Sequence, residues 1–301
     1  MNKIIVQLRG GLGNQLFQYA TSKAISLDND IKLFIDTFSG FKRDYEFNRK
    51  FELDNSTISG KVAKNFSIFP IYLFLFKNRF NKSIPKLRDK IFNFHYIHEN
   101  EFKYLPQIKQ GLLGKSTYII GSWQSYKYFE HHKNLLYEEL QPLIPKNKKY
   151  LQIGQEMKNT NSVALGLRLY EEASNPNLTI KSTSKNGKIK NIREISNAIK
   201  KIQSQIPEAK FYIFCTHNSA IFSEFNLPKD TKWITAEEGF DDTRDTLWLL
   251  TQCRNHLFTH SSYYWWGAWL SEVVYKESKQ LILAADNFLN EHTIPERWET
   301  F

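Results

Sequence analysis

Residues 4–20 read IIVQLRGGLGNQLFQYA, and this stretch decides the fold. The run at 4–8 is apolar and rich in β-branched residues, which predicts a short strand. A glycine-rich turn follows, and the apolar residues from Leu16 to Ile25 then recur at helical spacing. A second apolar run at 31–35 predicts the next strand. A strand, a glycine turn, a helix and a strand in this order are typical of a nucleotide-binding α/β domain.

The second half of the chain alternates in the same way. Its clearest helical pattern places isoleucines at three- and four-residue steps up to Pro207. Its apolar strand candidates lie at 162–167, 210–215, 232–235, 256–259 and 280–284. Strands that alternate with helices predict a second parallel, doubly wound sheet. We therefore expect an α/β protein of two Rossmann-like domains facing each other across a cleft.

The domain boundary is predicted from a turn-rich, basic stretch at 142–149, which has the composition of a linker. It divides the chain into domains at 1–148 and 149–301. Within the first domain, the run at 117–123 predicts a strand that returns to the sheet. Residues 37–117 show no clean period, and we assign them loosely to helices and excursions of the first domain.

The composition is that of an ordinary globular protein with a strong positive charge. Of 301 residues, 41% are apolar and 24% are charged, which excludes disordered, collagenous and coiled-coil classes. The net charge of +10 argues for an anionic partner, which could be a nucleic acid, a membrane surface or a phosphorylated small molecule. The cysteines, Cys215 and Cys253, are too few for a disulfide framework, so we expect a reducing, cytoplasmic compartment.

No stretch of the sequence is predicted to cross a membrane. The longest apolar run, at 66–76, is interrupted by Pro70 and is shorter than a bilayer span. The apolar residues at the N-terminus are too few for the core of a signal peptide. The basic residues within 77–90 fit either a solvated face or a face that touches a membrane peripherally.

The glycine turn is the first candidate binding site. Gly11 stands where backbone N–H groups and a helix N-terminus would favour an anion or a closely approaching sugar. The spacing matches neither the dinucleotide fingerprint nor a Walker A loop. A tight turn without any ligand is the alternative. The neighbouring amides of Asn14 and Gln15 favour a binding role, since amides at a strand's end can bind hydroxyl groups. We therefore predict that Gly11, Asn14 and Gln15 take part in donor binding.

Four segments together resemble the bacterial α-1,2-fucosyltransferases of glycosyltransferase family 11. They are GGLGNQLFQYA at 10–20, YEFNRKFEL at 45–53, GSWQSYKYF at 121–129 and SSYYWWGAWL at 261–270. The last is similar to the family's SSFSWWGAWL. The resemblance implies a GT-B fold, GDP-β-L-fucose as donor, no catalytic metal and no cofactor. It also implies inverting transfer to the 2-hydroxyl of a galactose-type acceptor, in glycan or O-antigen synthesis.

The fourth of these segments predicts a donor site in the second domain. Ser261 and Ser262 follow an apolar strand and open a helix, where hydroxyl and N–H groups can bind a phosphate. The alternative is that these serines only cap the helix. The tryptophans of the segment have helical spacing, and we predict that they pack in the core rather than stack on a ligand.

A fifth segment, at 163–172, corresponds to the family's His-x-Arg-Arg-Gly-Asp pattern. Arg168 matches the first arginine, whereas Gly166 replaces the histidine and Leu169 the second arginine. A guanidinium suits a diphosphate leaving group because it makes paired, charge-assisted hydrogen bonds. A structural ion pair is the alternative role for Arg168. Glu171 matches the family's aspartate and is our candidate for the general base, with Asp36 as another.

His217 is a further candidate for donor binding. It lies in FCTHN at 214–218, after a strand, at a position that faces the nucleotide if the family resemblance holds. The alternative is an ordinary surface or core histidine. We predict that Cys215 is buried in strand packing.

No metal site is predicted. Asp28-Asn29-Asp30 has the spacing of a D-x-D motif, but it precedes a strand and has the character of a helix-to-strand turn. Asp241-Asp242 is better interpreted as a helix N-cap, and His131-His132 as solvated.

Two other functions stay open at this point. One is a transferase of the same fold that uses another nucleotide sugar, which the altered segment at 163–172 permits. The other is a basic protein that binds RNA or a membrane surface. No RNP, KH or zinc pattern is present, which counts against nucleic acid as a partner. The family resemblance implies GDP-fucose and a galactose-containing oligosaccharide as partners, and a lipid-linked form of the oligosaccharide would suit a membrane-touching face.

Overall fold

The computed structural model divides the chain into two compact units. The first comprises Met1–Glu139 and Asn290–His292, and the second comprises Leu140–Leu289 and Thr293–Phe301. The first unit ends nine residues before the boundary predicted after residue 148, and it also includes Asn290–His292 from the predicted second domain. The structure describes residues 2–42, 44–45, 47–53, 58–63, 94–99, 102–109, 116–168, 183–184, 187–188, 190–216, 218 and 220–301.

The first unit is built on a sheet of five parallel strands. These are β1 Lys3–Gln7, β2 Lys32–Asp36, β3 Lys61–Val62, β4 Phe94–His98 and β5 Ser116–Ile120. Their order in the sheet is β3-β2-β1-β5-β4. Helix α1, Leu12–Asp28, connects β1 to β2, and helix α2, Lys133–Leu140, leads towards the second unit.

Strand β1 lies at the centre of this sheet because its side chains are buried on both faces. Ile4 pairs with Leu33 of β2 on one side and with Thr117 of β5 on the other. Ile4, Ile5 and Val6 are fully buried, as is typical of a strand inside a parallel sheet. The glycine turn therefore leaves the sheet at its centre, where ligands of open α/β sheets bind.

The second unit contains a sheet of six parallel strands. These are β6 Ser162–Gly166, β9 Lys210–Phe214, β10 Lys232–Ile234, β11 Asn255–Phe258, β12 Ile282–Ala284 and β13 Glu299–Thr300. Their order is β10-β9-β6-β11-β12-β13. A separate antiparallel pair joins β7, Thr183–Ser184, to β8, Gly187–Lys188.

The described part of the second unit contains four α-helices: α3 Lys148–Lys158, α4 Ile192–Gln205, α5 Thr243–Gln252 and α6 Ser262–Val274. Helix α4 begins with a capping box, in which Asn191 and Glu194 bond each other's backbone N–H groups. Its buried isoleucines pack on the strands, and Cys215 lies in the same core cluster. The predicted helix and the buried cysteine are thus confirmed.

Each predicted strand is found, with bounds within three residues of the prediction. Strands β3, β4, β7, β8 and β13 were not predicted, and the loose assignment of 37–117 to helices and excursions missed β3 and β4. Residues 64–93, which contain the longest apolar run and the basic stretch at 77–90, lie outside the described residues. None of the helices among the described residues has both the length and the apolar character needed to cross a bilayer.

Candidate functional site

The backbone of the glycine turn in the first unit lets a ligand approach closely. Gly10 has φ +75°, in the left-handed region that favours glycine, and a Cβ there would come within 2.7 Å of the Asn14 Nδ2 atom. Gly11 is the N-cap of α1 and provides no side-chain cap. Because the N-cap residue has no side chain, it bonds none of the first N–H groups of α1, which suits the turn to an anion or a sugar oxygen.

Gln15 fastens this turn to a second segment of the chain. It is fully buried, and its Nε2 atom donates to the carbonyl oxygens of Gly10 and Lys50, both at 2.8 Å. Its Oε1 atom accepts from the backbone N–H of Glu52 at 2.9 Å. The amide of Gln15 therefore shapes the loop from within.

Asn14 joins the turn to a third segment. Its Oδ1 atom accepts a hydrogen bond of 2.8 Å from Nε2 of Gln124. Three of the four segments that carry the family resemblance, at 10–20, 45–53 and 121–129, are thereby brought together at the carboxyl end of β1. Their scattered positions in the sequence converge on one edge of the sheet.

Two arginines at this edge were missed by the sequence reasoning. A Cβ on Gly11 would lie 3.0 Å from Nη1 of Arg49, so this guanidinium rests against the N-terminus of α1. Burial lowers the pKa of Arg9, and the negative charge of Glu99 opposes that effect. The sequence did offer signals for both arginines: Arg49 lies inside the segment at 45–53, and Arg9 directly precedes the glycines.

Asp36, one candidate for the general base, is engaged inside the first unit. Its carboxylate is fully buried and accepts from the N–H groups of Phe38 and Ser39, both at 2.9 Å. The hydroxyl of Tyr118 donates to its other oxygen at 2.5 Å. These bonds make Asp36 a structural group at the end of β2 and not a base that faces a substrate.

In the second unit, the ends of β6 and β11 place Arg168 beside the start of α6. The two strands pair in parallel, with Gly166 opposite Phe258. The N–H of Arg168 donates to Oγ1 of Thr259 at 2.7 Å, and the N–H of Thr259 donates to the Gly166 carbonyl at 3.0 Å. Arg168 is thus fixed at the edge where α6 begins.

Ser261 is the N-cap of α6, as predicted, and Ser262 is its first residue. The side chain of Ser261 makes no capping hydrogen bond to the helix, although the residue is only 8% exposed. A hydroxyl that does not cap its own helix is suited to a phosphate oxygen at the same position. The arrangement can hold an anion between a helix N-terminus and the Arg168 strand end.

His260 lies between Thr259 and Ser261 and was also missed by the sequence reasoning. Burial, and to a lesser extent the positive charge of Arg168, lower its pKa to about 4. Its ring contacts that of Phe288 edge-on, at 4.8 Å between centroids. The imidazole is therefore neutral at pH 7, beside the arginine. Its place immediately before the two serines was the signal that could have found it.

The Tyr264 ring covers Gly166. A Cβ on Gly166 would lie 2.5 Å from Cγ of Tyr264, and the Tyr264 hydroxyl donates to the Phe214 carbonyl at 2.8 Å. In the family patterns quoted above, position 166 holds a histidine and position 264 a serine. The two positions at which this chain differs from the family patterns are therefore in contact with each other.

The tryptophans of α6 pack in the core, as predicted. Trp265, Trp266 and Trp269 are fully buried and their rings contact one another. Glu171, the other candidate for the base, and His217 lie outside the described residues.

The acidic pairs considered for a metal have different surroundings. Asp242 is the N-cap of α5 and accepts from the N–H groups of Arg244 and Asp245. Asp28 ends α1, and its carboxylate contacts both His131 and His132, so this pair is not simply solvated. Partial burial opposes ionisation of Asp28, but the two histidines outweigh it and lower its pKa.

Comparison with known proteins identifies glycosyltransferases as relatives of this chain. The sequence model of glycosyl transferase family 11 matches residues 3–296. An α-1,2-colitosyltransferase from Escherichia coli is 30% identical over 280 residues, which cover 90% of this chain and 88% of the relative. The O-antigen biosynthesis glycosyltransferase WbnK, also from Escherichia coli, is 25% identical over 294 residues. The alignment covers 88% of this chain and 89% of WbnK.

Among solved structures, the NodZ α-1,6-fucosyltransferase from a crystal soaked with GDP-fucose aligns with a TM-score of 0.50 and 15% identity. The alignment covers 90% of this chain and 93% of NodZ. With two parallel-sheet α/β units, this likeness confirms the GT-B, Rossmann-like fold class. The match over nearly the whole sequence settles the family: the chain belongs to glycosyl transferase family 11.

Proposed function

We propose that this chain is a galactoside 2-α-L-fucosyltransferase. It would transfer L-fucose from GDP-β-L-fucose to the 2-hydroxyl of a galactose-type acceptor, with inversion and without a metal. The observation that carries the proposal is the juxtaposition of Arg168 and the α6 N-terminus at two neighbouring strand ends, in a family 11 chain. Family membership supports the reaction class, and the juxtaposition supports the assignment of the leaving diphosphate to this edge.

The chemistry requires stabilisation of the leaving group. As the acceptor hydroxyl attacks the anomeric carbon, the bond to the diphosphate breaks on the opposite face and negative charge grows on the phosphate oxygens. Arg168 and the hydroxyl and N–H groups of Ser261 and Ser262 are assigned to that charge. We assign to the Arg168 guanidinium and the helix N-terminus the role that a divalent cation has in other transferases.

The attacking hydroxyl must also lose its proton. Glu171 is proposed as the general base because it follows Arg168 by three residues and matches the family's aspartate. His217 is proposed to contact the guanine or ribose of the donor. Both assignments rest on the resemblance of their segments.

The first unit is proposed to address the sugar and the acceptor. Gly11 and Asn14 lie at the N-terminus of α1, and Gln15 holds the loop in place from its buried position. Arg9 and Arg49 add positive charge at this edge, which would suit an acceptor carried on a lipid phosphate. Because WbnK acts in O-antigen biosynthesis, we propose the same setting here, in the cytoplasm or at the inner face of the membrane.

A second donor is favoured by a specific observation. The 30% identical relative is a colitosyltransferase, and colitose is fucose without its 3-hydroxyl. At position 166 this chain has glycine under the Tyr264 ring in place of the family's histidine. A site that lacks a hydrogen-bonding group discriminates less against a sugar that lacks a hydroxyl. GDP-colitose is therefore the alternative donor.

The test is a product assay with the full chain. GDP-fucose, GDP-colitose, GDP-mannose and UDP-galactose are each supplied with an oligosaccharide that ends in galactose. Mass spectrometry identifies the transferred sugar, and NMR identifies its linkage and anomeric configuration. We expect transfer from GDP-fucose, an α-linkage to the 2-hydroxyl, and no product with the matched acceptor that ends in 2-deoxygalactose. Transfer from UDP-galactose alone, or product on the 2-deoxy acceptor, would contradict the proposal.

A further inference from the structure

A cluster of two histidines and one carboxylate lies at the end of α1 opposite to the glycine turn. Nε2 of His131 is 2.9 Å from Oδ1 and 3.1 Å from Oδ2 of Asp28. Nε2 of His132 is 2.8 Å from the same Oδ1 atom. Asp28 is more than 100 positions away from the two adjacent histidines in the sequence. The fold alone brings their ligand atoms together, within 4.8 Å of one another.

Packed elements hold the cluster in place. Asp28 is the last residue of α1, and the two histidines belong to a single 3₁₀ turn, Glu130–His132, that precedes α2. Phe129, next to that turn, is fully buried and its ring lies 6.0 Å from that of Phe17 on α1. The turn is therefore fixed to the helix that carries the carboxylate. Ligands on such supported elements need little rearrangement to bind an ion.

The distances suit a small divalent ion. Zinc binds imidazole nitrogen at about 2.0–2.1 Å and carboxylate oxygen at about 2.0–2.2 Å, so neighbouring ligand atoms of a tetrahedral site lie roughly 3.3 Å apart. The nitrogen–oxygen distances here, 2.8–3.1 Å, need to widen by only a few tenths of an ångström. The exposed position of Asp28 and His131 leaves room for water as a further ligand.

We propose that Asp28, His131 and His132 form a binding site for a divalent transition metal of the zinc type. Two imidazoles and a carboxylate favour zinc, nickel, cobalt or copper over calcium or magnesium, which prefer all-oxygen sites. The carboxyl end of α1 adds to the attraction, since a helix C-terminus carries partial negative charge.

The site has a structural role and not a catalytic one. Helix α1 has 17 residues and is therefore roughly 25 Å long. The glycine turn lies at its first residue and the cluster at its last. A bound ion would clamp the end of α1 to the turn before α2, and so stabilise the folded first unit. Sugar transfer would proceed without it.

The experiment uses the full chain without a polyhistidine tag, stripped of metal by EDTA and then freed of chelator. Zn²⁺ is added, binding is measured by calorimetry, and the midpoint of thermal unfolding is recorded. We expect one ion per chain and a midpoint that rises by several degrees. Co²⁺ bound at the same site should show visible absorption bands.

Matched variants separate this cluster from other acidic and histidine groups. Asp28→Asn and His132→Ala should each weaken Zn²⁺ binding by more than about tenfold and remove the thermal shift. Asp30→Asn, two residues away, and His95→Ala, at an exposed position on β4, should bind as the unaltered chain does. If Zn²⁺ neither binds nor raises the midpoint, or if Asp28→Asn binds normally, the proposal is wrong. The contacts are then a hydrogen-bonded ion pair.

Discussion

The ring of Tyr264 occupies the space into which any side chain at Gly166 would project, since a Cβ there would lie 2.5 Å from its Cγ atom. Gly166 ends β6 and Tyr264 is in the first turn of α6, so the contact joins the two elements that build the proposed donor site. The resemblance pairs histidine with serine at these positions. In this chain the side chain of Tyr264 fills the space beside position 166, where the family pattern has a histidine.

Gly166→Ala is expected to destabilise the protein by about 1–3 kcal/mol, because an aromatic ring in a packed core cannot move aside freely. In a Tyr264→Ser background the same change should cost little or nothing. Chemical denaturation of the four proteins of this cycle measures the coupling. Equal costs of Gly166→Ala in both backgrounds would show that the two positions do not compete for one space.

Arg168→Lys should lose most transfer activity while the fold stays intact, because an ammonium cannot reproduce the two-pronged contact of a guanidinium with a diphosphate. The expected loss is about 2–4 kcal/mol of transition-state stabilisation. Steady-state kinetics and thermal unfolding measure the two effects separately. Arg193→Lys, on the exposed face of α4, is the control. Turnover near that of the unaltered chain in Arg168→Lys would refute the assignment.

Acid should destabilise the second unit through a buried histidine. Burial lowers the pKa of His256 to about 3, well below its ordinary value of 6.5. Between these values the unfolded chain binds a proton that the folded chain does not. Stability therefore falls as the pH falls below about 6.5, by up to about 1.4 kcal/mol per pH unit.

Urea unfolding at pH 7 and pH 5 measures this loss, and His256→Gln should reduce it. The Glu156 carboxylate loses stabilising contacts only at lower pH, because hydrogen bonds from Lys210 and Lys232 outweigh its desolvation and lower its pKa to about 2. A pH dependence that is unchanged in His256→Gln would show that this histidine is not the source.

Chelation should separate stability from catalysis. Since the proposed metal site lies at the far end of α1 from the glycine turn, EDTA is expected to lower the unfolding midpoint of the zinc-loaded chain and leave the rate of sugar transfer unchanged. Assays below the lower midpoint, with and without EDTA, measure both. Activity that EDTA abolishes and Mg²⁺ or Mn²⁺ restores would show that a catalytic metal had been overlooked.

The sequence predicts the parts of this protein that have strong local patterns. Strand β1, the glycine turn and α4 follow from apolar periodicity and capping residues, and each is found where it was expected. Strand β4 could not be predicted, because its residues, FHYIH, form neither a continuous apolar run nor a strict alternation of polar and apolar residues. Apolar periodicity does not predict which distant segments of the chain pair with each other.

The candidate site shows the same limit. Arg168 and Ser261 could be proposed from the sequence because each follows an apolar strand, where ligands of parallel sheets bind. His260 lacked a pattern of its own, and its low pKa arises from burial and from Arg168, neither of which a sequence displays. The contact of Asp28 with His131 and His132 depends on packing of Phe17 against Phe129, across more than 100 positions.

The central claim is that the second unit binds the GDP portion of the donor, and calorimetry with GDP tests it most directly. Ser262→Ala removes a hydroxyl at the N-terminus of α6, where the phosphate would lie, and should weaken GDP binding. Asn14→Ala, at the glycine turn of the first unit, should reduce transfer while GDP affinity changes much less. If Asn14→Ala loses GDP affinity as severely as Ser262→Ala, the glycine turn belongs to the nucleotide site and the assignment of donor and acceptor to separate units is wrong.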